Sequence, residues 1–169
     1  MKRTLIIING EGSHGKTSLV KHLIAENILT KETATFTSDS KQELGRSPEY
    51  VLKQIQNHLR LHPDKEIITL TLRHLPFINK CEYYGYEYVD LLLQNMEFDK
   101  AIIVSFNPNP DKFSDEQLCS IHANITNINT LCNFPSAYKS FDYVATKADV
   151  ENKIKEATEF IVENLNKSI

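Results

Sequence analysis

Apolar residues along the chain gather in short runs separated by helical patterns. Arg3–Asn9 is a nearly continuous Ile/Leu run, as expected for a strand buried on both faces of a parallel sheet. After Lys16 the apolar positions become Leu19, Val20, Leu23, Ile24 and Ile28, which form one face of a helix. Ala34–Ser38 ("ATFTS") predicts a second strand. Ser47–Pro48–Glu49 reads as an N-cap with proline at the first helical position, opening a helix that ends near Leu61. A β-branched third strand follows at Glu66–Arg73, then a helix from Gly85 to Met96, then a fourth strand at Lys100–Phe106. From Asn107 to Ser140 the pattern weakens. "NPNPDKFSDEQL" is turn chemistry, with Ser114 placed to cap a helix that begins "DEQL", and the Asn-rich stretch after it reads as helix or excursion joined by loop. A fifth strand is predicted at Phe141–Ala145, before a final amphipathic helix over Asp149–Leu165.

Five strands alternating with helices imply an α/β fold class: a three-layer, doubly wound, five-stranded parallel sheet with helices on both faces. Parallel neighbours need crossover connections, and the helices supply them. No repeat and no linker divides the chain, so residues 1–169 read as one domain. Ligands on such sheets sit at the carboxyl ends of strands.

Composition narrows the picture. The 41% hydrophobic and 24% charged content is that of a globular domain, and a net charge of −3 argues against a protein built to coat nucleic acid. Cys81, Cys119 and Cys132 lack CxxC spacing and read as reduced thiols of a cytoplasmic protein. No run has the length of a membrane span, and Leu5–Ile8 is too short for the core of a signal peptide.

The chain has five glycines, and three of them, Gly10, Gly12 and Gly15, fall within six positions just after the first strand. Gly10–Glu11–Gly12–Ser13–His14–Gly15–Lys16–Thr17 fits G-x-x-x-x-G-K-[ST] at every fixed position. Glycine permits the positive φ and close backbone approach that turn successive N–H groups toward a phosphate. The helix beginning at Lys16 adds the positive end of its dipole. Lys16 offers a mobile ammonium to the β- and γ-phosphates, and the Thr17 hydroxyl can ligate Mg²⁺. Gly10, Gly12, Ser13, His14, Gly15, Lys16, Thr17 and Ser18 are the candidate phosphate contacts. The stretch resembles the loop of P-loop NTPases, which implies binding of a nucleoside triphosphate.

Two branches of that class are open. "HGKTSL" is similar to the loop of translation-factor GTPases, and "TKAD" (Thr146–Asp149) resembles their guanine-reading motif, but no D-x-x-G occurs in the chain. The alternatives for TKAD are a helix cap and an adenine-side loop. In order and length of elements the chain resembles the nucleoside/nucleotide kinase-like group, which includes the shikimate, polynucleotide and nucleoside monophosphate kinases. That resemblance implies strand order 2-3-1-4-5, an acceptor-binding region over 40–63 and a lid over 107–139. It gives Asp39 the role of positioning or deprotonating the acceptor hydroxyl and of serving the metal shell. It gives Arg73 and Arg46 the role of holding the acceptor. The function implied is an ATP- and Mg²⁺-dependent phosphotransferase acting on a small molecule or nucleotide, with Lys16 and Asp39 as its catalytic residues. The chain departs from the group in two places. "TLTLRH" lacks the Walker B acid at the end of the third strand, and the lid segment has Lys112 and Lys139 but no arginine. A GTP-binding switch and a catalytically silent nucleotide sensor therefore stand as alternatives.

Two other features have bland and functional readings. Tyr83, Tyr84, Tyr86 and Tyr88 suit either the packing of a helix start or stacking on a substrate ring. His58 and His62, four apart, suit a solvated helix end better than a metal site, for want of a third ligand.

Overall fold

The computed structural model describes residues 2–11, 15–30, 35–37, 47–76 and 83–167. Its elements in chain order are β1 (Thr4–Asn9), α1 (Lys16–Ala25), β2 (Thr35–Thr37), α2 (Pro48–Leu61), β3 (Ile67–Leu72), α3 (Gly85–Asn95), β4 (Lys100–Phe106), α4 (Asp115–Leu131), β5 (Ser136–Phe141) and α5 (Lys147–Asn166). They form a three-layer α/β sandwich around one parallel sheet of order β2-β3-β1-β4-β5.

Four strands of six or seven residues, β3-β1-β4-β5, carry that sheet. β2 adds only Thr35–Thr37 along the outer edge of β3. The sheet is five-stranded, and its edge strand β2 is described over Thr35–Thr37. Phe36 of β2 is partly buried against the core. Strand order by itself does not identify the chain as a P-loop kinase.

The fifth strand also lies elsewhere than expected, at Ser136–Phe141 rather than Phe141–Ala145. Along it only Phe141 is buried, so apolar density does not mark it. The weakly patterned segment before it holds a 3-10 turn at Pro110–Lys112 and then α4, a regular crossover helix. Ser114 Oγ accepts from the Gln117 N–H and Gln117 Oε1 accepts from the Ser114 N–H, a reciprocal capping box. Ile121, Ile125 and Ile128 then bury one face of the helix.

The core lies on both sides of the sheet. Leu5 and Ile7 of β1 face α2, α3 and α4, packing with Val51, Val89 and Ile128. Ile6 and Ile8 face α1 and α5, packing with Leu19, Leu23, Ala157 and Ile161. All four β1 residues are fully buried, and each such side chain contributes about 1.5–3 kcal/mol. β1 is therefore a rigid central strand, and whatever leaves its carboxyl end is well positioned. Of the cysteines, Cys119 is exposed and Cys132 is buried, its thiol pushed up to about 11 by burial; Cys81 lies outside the described residues. No described helix is long and apolar enough to cross a membrane.

Candidate functional site

β1 ends at Asn9, which lies opposite Leu72 of β3 and Ser105 of β4. The next residue, Gly10, donates its N–H to the Leu72 carbonyl at 2.9 Å. A Cβ on Gly10 would sit 3.3 Å from Cβ of Phe106 and 3.4 Å from Cγ of Lys16, so glycine allows the chain to pass this close. At the far side of the stretch Gly15 takes φ 111°, a left-handed conformation that favours glycine, and leads directly into α1. Gly12, Ser13 and His14 lie outside the described residues.

The start of α1 is built differently from the starts of its neighbours. No side chain caps it and no acidic residue stands in its first turn. Side-chain oxygens of Ser47, Ser114 and Thr146 cap α2, α4 and α5. The first amides of α1 and the positive end of its dipole thus meet no anionic group of the first turn. Lys16 opens the helix with Nζ 3.3 Å from the Leu72 carbonyl, so its ammonium reaches back over the end of β3. Thr17 and Ser18 follow, both exposed.

The end of β3 carries the least expected chemistry. Arg73 follows its last residue, and its Nη2 lies 2.6 Å from Oε2 of Glu11, inside the glycine-rich stretch. The other oxygen of Glu11 accepts the Leu75 N–H at 2.8 Å. Glu11 is 3% exposed, so one buried carboxylate ties the stretch to the chain leaving β3. Beyond Arg73, His74 is fully buried with Nδ1 3.1 Å from Nδ2 of Asn124 on α4, and Oδ1 of Asn124 accepts the Tyr86 N–H. Gly85, the first residue of α3, closes the third side: a Cβ there would lie 2.5 Å from the Arg73 carbonyl oxygen.

From the opposite side comes Lys153 of α5. It is 7% exposed, with Nζ 5.2 Å from the ring centre of Phe106, the residue against which Gly10 packs. Burial holds its ammonium below the usual lysine range.

Asp39 and Arg46, expected at the acceptor, lie outside the described residues. Arg73 is brought to the glycine-rich stretch. The Thr146–Asp149 stretch forms the start of α5, with Thr146 Oγ1 accepting the Asp149 N–H at 3.2 Å and the Asp149 side chain exposed. The tyrosines pack on each other at the start of α3: Tyr84 stacks on Tyr86 at 5.8 Å and Tyr83 meets Tyr88 edge-on. A groove of about 840 Å³ between α1 and α5 shares no residue with the glycine-rich stretch.

Among the described residues Thr17 offers magnesium one hydroxyl oxygen, and the residue that follows β3 is Arg73 rather than an acid. Glu11, an acid within the stretch, accepts from Arg73 with one oxygen and from the Leu75 N–H with the other. Among the described residues no group of three or more His, Cys, Asp or Glu is placed to hold a metal.

Sequence reasoning missed Glu11 and Lys153. The signal for Glu11 was a long acid set between two glycines, Gly10 and Gly12. For Lys153 it was register, since it stands four residues before Ala157 and eight before Ile161 on the buried face of α5. No protein-family model matches the chain, and no curated protein matches it in sequence.

Proposed function

We propose that the chain binds a nucleoside triphosphate, ATP in the first instance, through the stretch between β1 and α1. We propose further that it serves phosphoryl transfer to a small-molecule or nucleotide acceptor. The observation that carries the binding is the junction at Gly15. A left-handed glycine delivers the chain into a helix whose start has no capping side chain, with Lys16 as its first residue. Backbone amides, a helix dipole and an ammonium converge where a phosphate chain would lie, and this convergence is the usual basis of anion binding at a helix N-terminus. Electrostatic stabilisation and positioning are also most of what phosphoryl transfer asks of a protein.

A second reading, nucleotide binding without chemistry, is favoured by one observation. The end of β3 presents an arginine held by Glu11 instead of an acid. Under this reading the ion pair couples the bound phosphate to α3 and α4 through Arg73, His74 and Asn124, and the domain reports occupancy to a partner.

The test is a thermal-shift and calorimetric series with ATP and GTP on the wild type and on Lys16→Ala. A ligand that binds only the native state raises its stability by mass action. The wild type should bind ATP at least as well as GTP. Lys16→Ala should lose about a hundredfold in affinity, since charge-assisted contacts to phosphate exceed the value of neutral hydrogen bonds. Undiminished ATP binding by this variant would remove the basis of the proposal. Release of phosphate, or its transfer to a screened acceptor, separates the enzymatic reading from the silent one. A tenfold loss confined to GTP in Asp149→Ala would favour a guanine switch.

A further inference from the structure

We infer that Lys153 is a second cation of the ligand site, meeting the phosphate chain from the α5 side while Lys16 meets it from the β3 side. This rests on the reading of the glycine-rich stretch as a triphosphate site.

The inference begins with a residue out of place. Lys153 belongs to the buried face of α5, in line with Ala157 and Ile161, and is 7% exposed. Lysine is almost never this buried without a partner: the stem is covered, while Nζ is not among the fully enclosed unpartnered atoms and pays a partial desolvation cost. The described residues give this one neither a carboxylate within ion-pair distance nor a hydrogen-bond acceptor. Its contact is the face of the Phe106 ring, 5.2 Å from Nζ to the centroid. A cation–π contact returns only part of the desolvation cost. Leucine or methionine would fill the same position without that cost.

Position turns the anomaly into a site. Phe106 is the fully buried last residue of β4, and both ends of the glycine-rich stretch rest on it. A Cβ on Gly10 would be 3.3 Å from Cβ of Phe106, and one on Gly15 would be 3.8 Å from its Cε2. Ile154, the next residue on α5, would lie 3.4 Å from that same Gly15 position. Lys153 thus stands one aromatic ring away from the turn that opens α1. An anion seated at the start of α1 supplies the counter-charge that the described residues withhold. Triphosphate is the ligand chemistry that fits, since its charge is spread along a chain long enough to reach cations on two sides.

The experiment measures ATP and inorganic tripolyphosphate binding by calorimetry, with ligand-free melting temperature, on wild type, Lys153→Met and Lys153→Gln. Both neutral variants should lose about tenfold or more in affinity for both ligands, the value of a charge-assisted contact. Their ligand-free melting temperatures should be unchanged or higher, because an uncompensated buried charge has been removed. A structural lysine would give the opposite pattern, with lower melting temperatures in both variants and affinities within threefold of wild type; that pattern overturns the inference. A loss seen with ATP but not with tripolyphosphate overturns the phosphate assignment. A wild type that binds neither ligand overturns the proposed function itself. Normal wild-type binding with unaffected variants overturns only the role of Lys153.

Discussion

The ends of β1 and β3 lie side by side, Asn9 opposite Leu72, yet they are built on different principles. At the end of β1 the chain gives up side chains: glycine at 10, glycine in a left-handed turn at 15, and a helix start with no capping side chain. At the end of β3 it does the reverse. Arg73, His74 and Leu75 are each held, by Glu11, Asn124 and Glu11 again. The first region leaves the start of α1 without a capping side chain, and the second ties Arg73 Nη2, His74 Nδ1 and the Leu75 N–H to named partners. The link between them is Glu11, a member of the first region that works for the second. Glu11 thus anchors the start of the glycine-rich stretch to the chain leaving a neighbouring strand. An anion-binding stretch that carries a buried carboxylate needs such an anchor, because the same carboxylate left unpaired would oppose phosphate.

The comparison breaks most sharply at Glu11. Glu11→Ala leaves the Arg73 guanidinium, at 12% side-chain exposure, without this carboxylate and removes the acceptor of the Leu75 N–H. Breaking a buried pair costs about 3–5 kcal/mol, and the partial exposure of Arg73 argues for the lower end, about 3 kcal/mol. For a domain of this size that is a fall of about 6–12 °C in melting temperature. The double variant Glu11→Gln with Arg73→Gln removes both charges and should lose less than Glu11→Ala alone. Denaturant unfolding of the three proteins checks this. A loss below about 0.5 kcal/mol in Glu11→Ala would class the pair with ordinary surface ion pairs.

How much of this was legible beforehand follows the same division. β1, β3 and β4 are buried on both faces and appear as unbroken apolar runs, so their positions could be read from the sequence. The starts of α2 and α4 were announced by Ser47 and Ser114, whose chemistry is local. β5 was misplaced because an edge strand exposed along most of its length has no apolar signature, while Tyr143 and Val144 beyond it imitate one. Spacing alone put Lys16 and Thr17 at the start of a helix after a strand. It could not reveal that Glu11 meets Arg73, 62 residues away, or that Lys153 covers Phe106. Such pairings depend on which strands become neighbours, and local pattern carries no record of that.

A smaller effect tests how tightly the end of β3 is held. Gly85→Ala would place a methyl group 2.5 Å from the Arg73 carbonyl oxygen and 3.3 Å from Nδ2 of Asn124. The first of these contacts is with backbone, so relief requires α3 or the Arg73 peptide to move. Overpacking of this kind costs about 1–3 kcal/mol. The displaced carbonyl belongs to the residue paired with Glu11, so the loss should shrink in a Glu11→Ala background, where Arg73 is already released. A double-mutant cycle reads that coupling. Strict additivity would show that α3 and the glycine-rich stretch are independent.

The smallest expected effect concerns magnesium, and it sharpens the comparison. A metal beside a bound triphosphate would draw on the Thr17 hydroxyl from the β1 side and on a carboxylate from the β3 side to order its waters. The β1 side can meet that demand. The β3 side presents an always-charged guanidinium, and Glu11 has committed both oxygens. The Arg73–Glu11 pair is net neutral, so it adds no attraction for a dication beyond what Thr17 contributes. ATP affinity measured with excess Mg²⁺ and with EDTA should therefore differ by less than about threefold, under 1 kcal/mol. A loss of tenfold or more in EDTA would place the metal's acid outside the end of β3, with Asp39 the first residue to examine. Asp39→Asn would then bring the two affinities together, while Glu11→Gln would leave the ratio as it was. If Glu11→Gln abolished the magnesium preference instead, the carboxylate that ties the two strand ends together would also hold the metal's waters, and the division between the two regions would not hold.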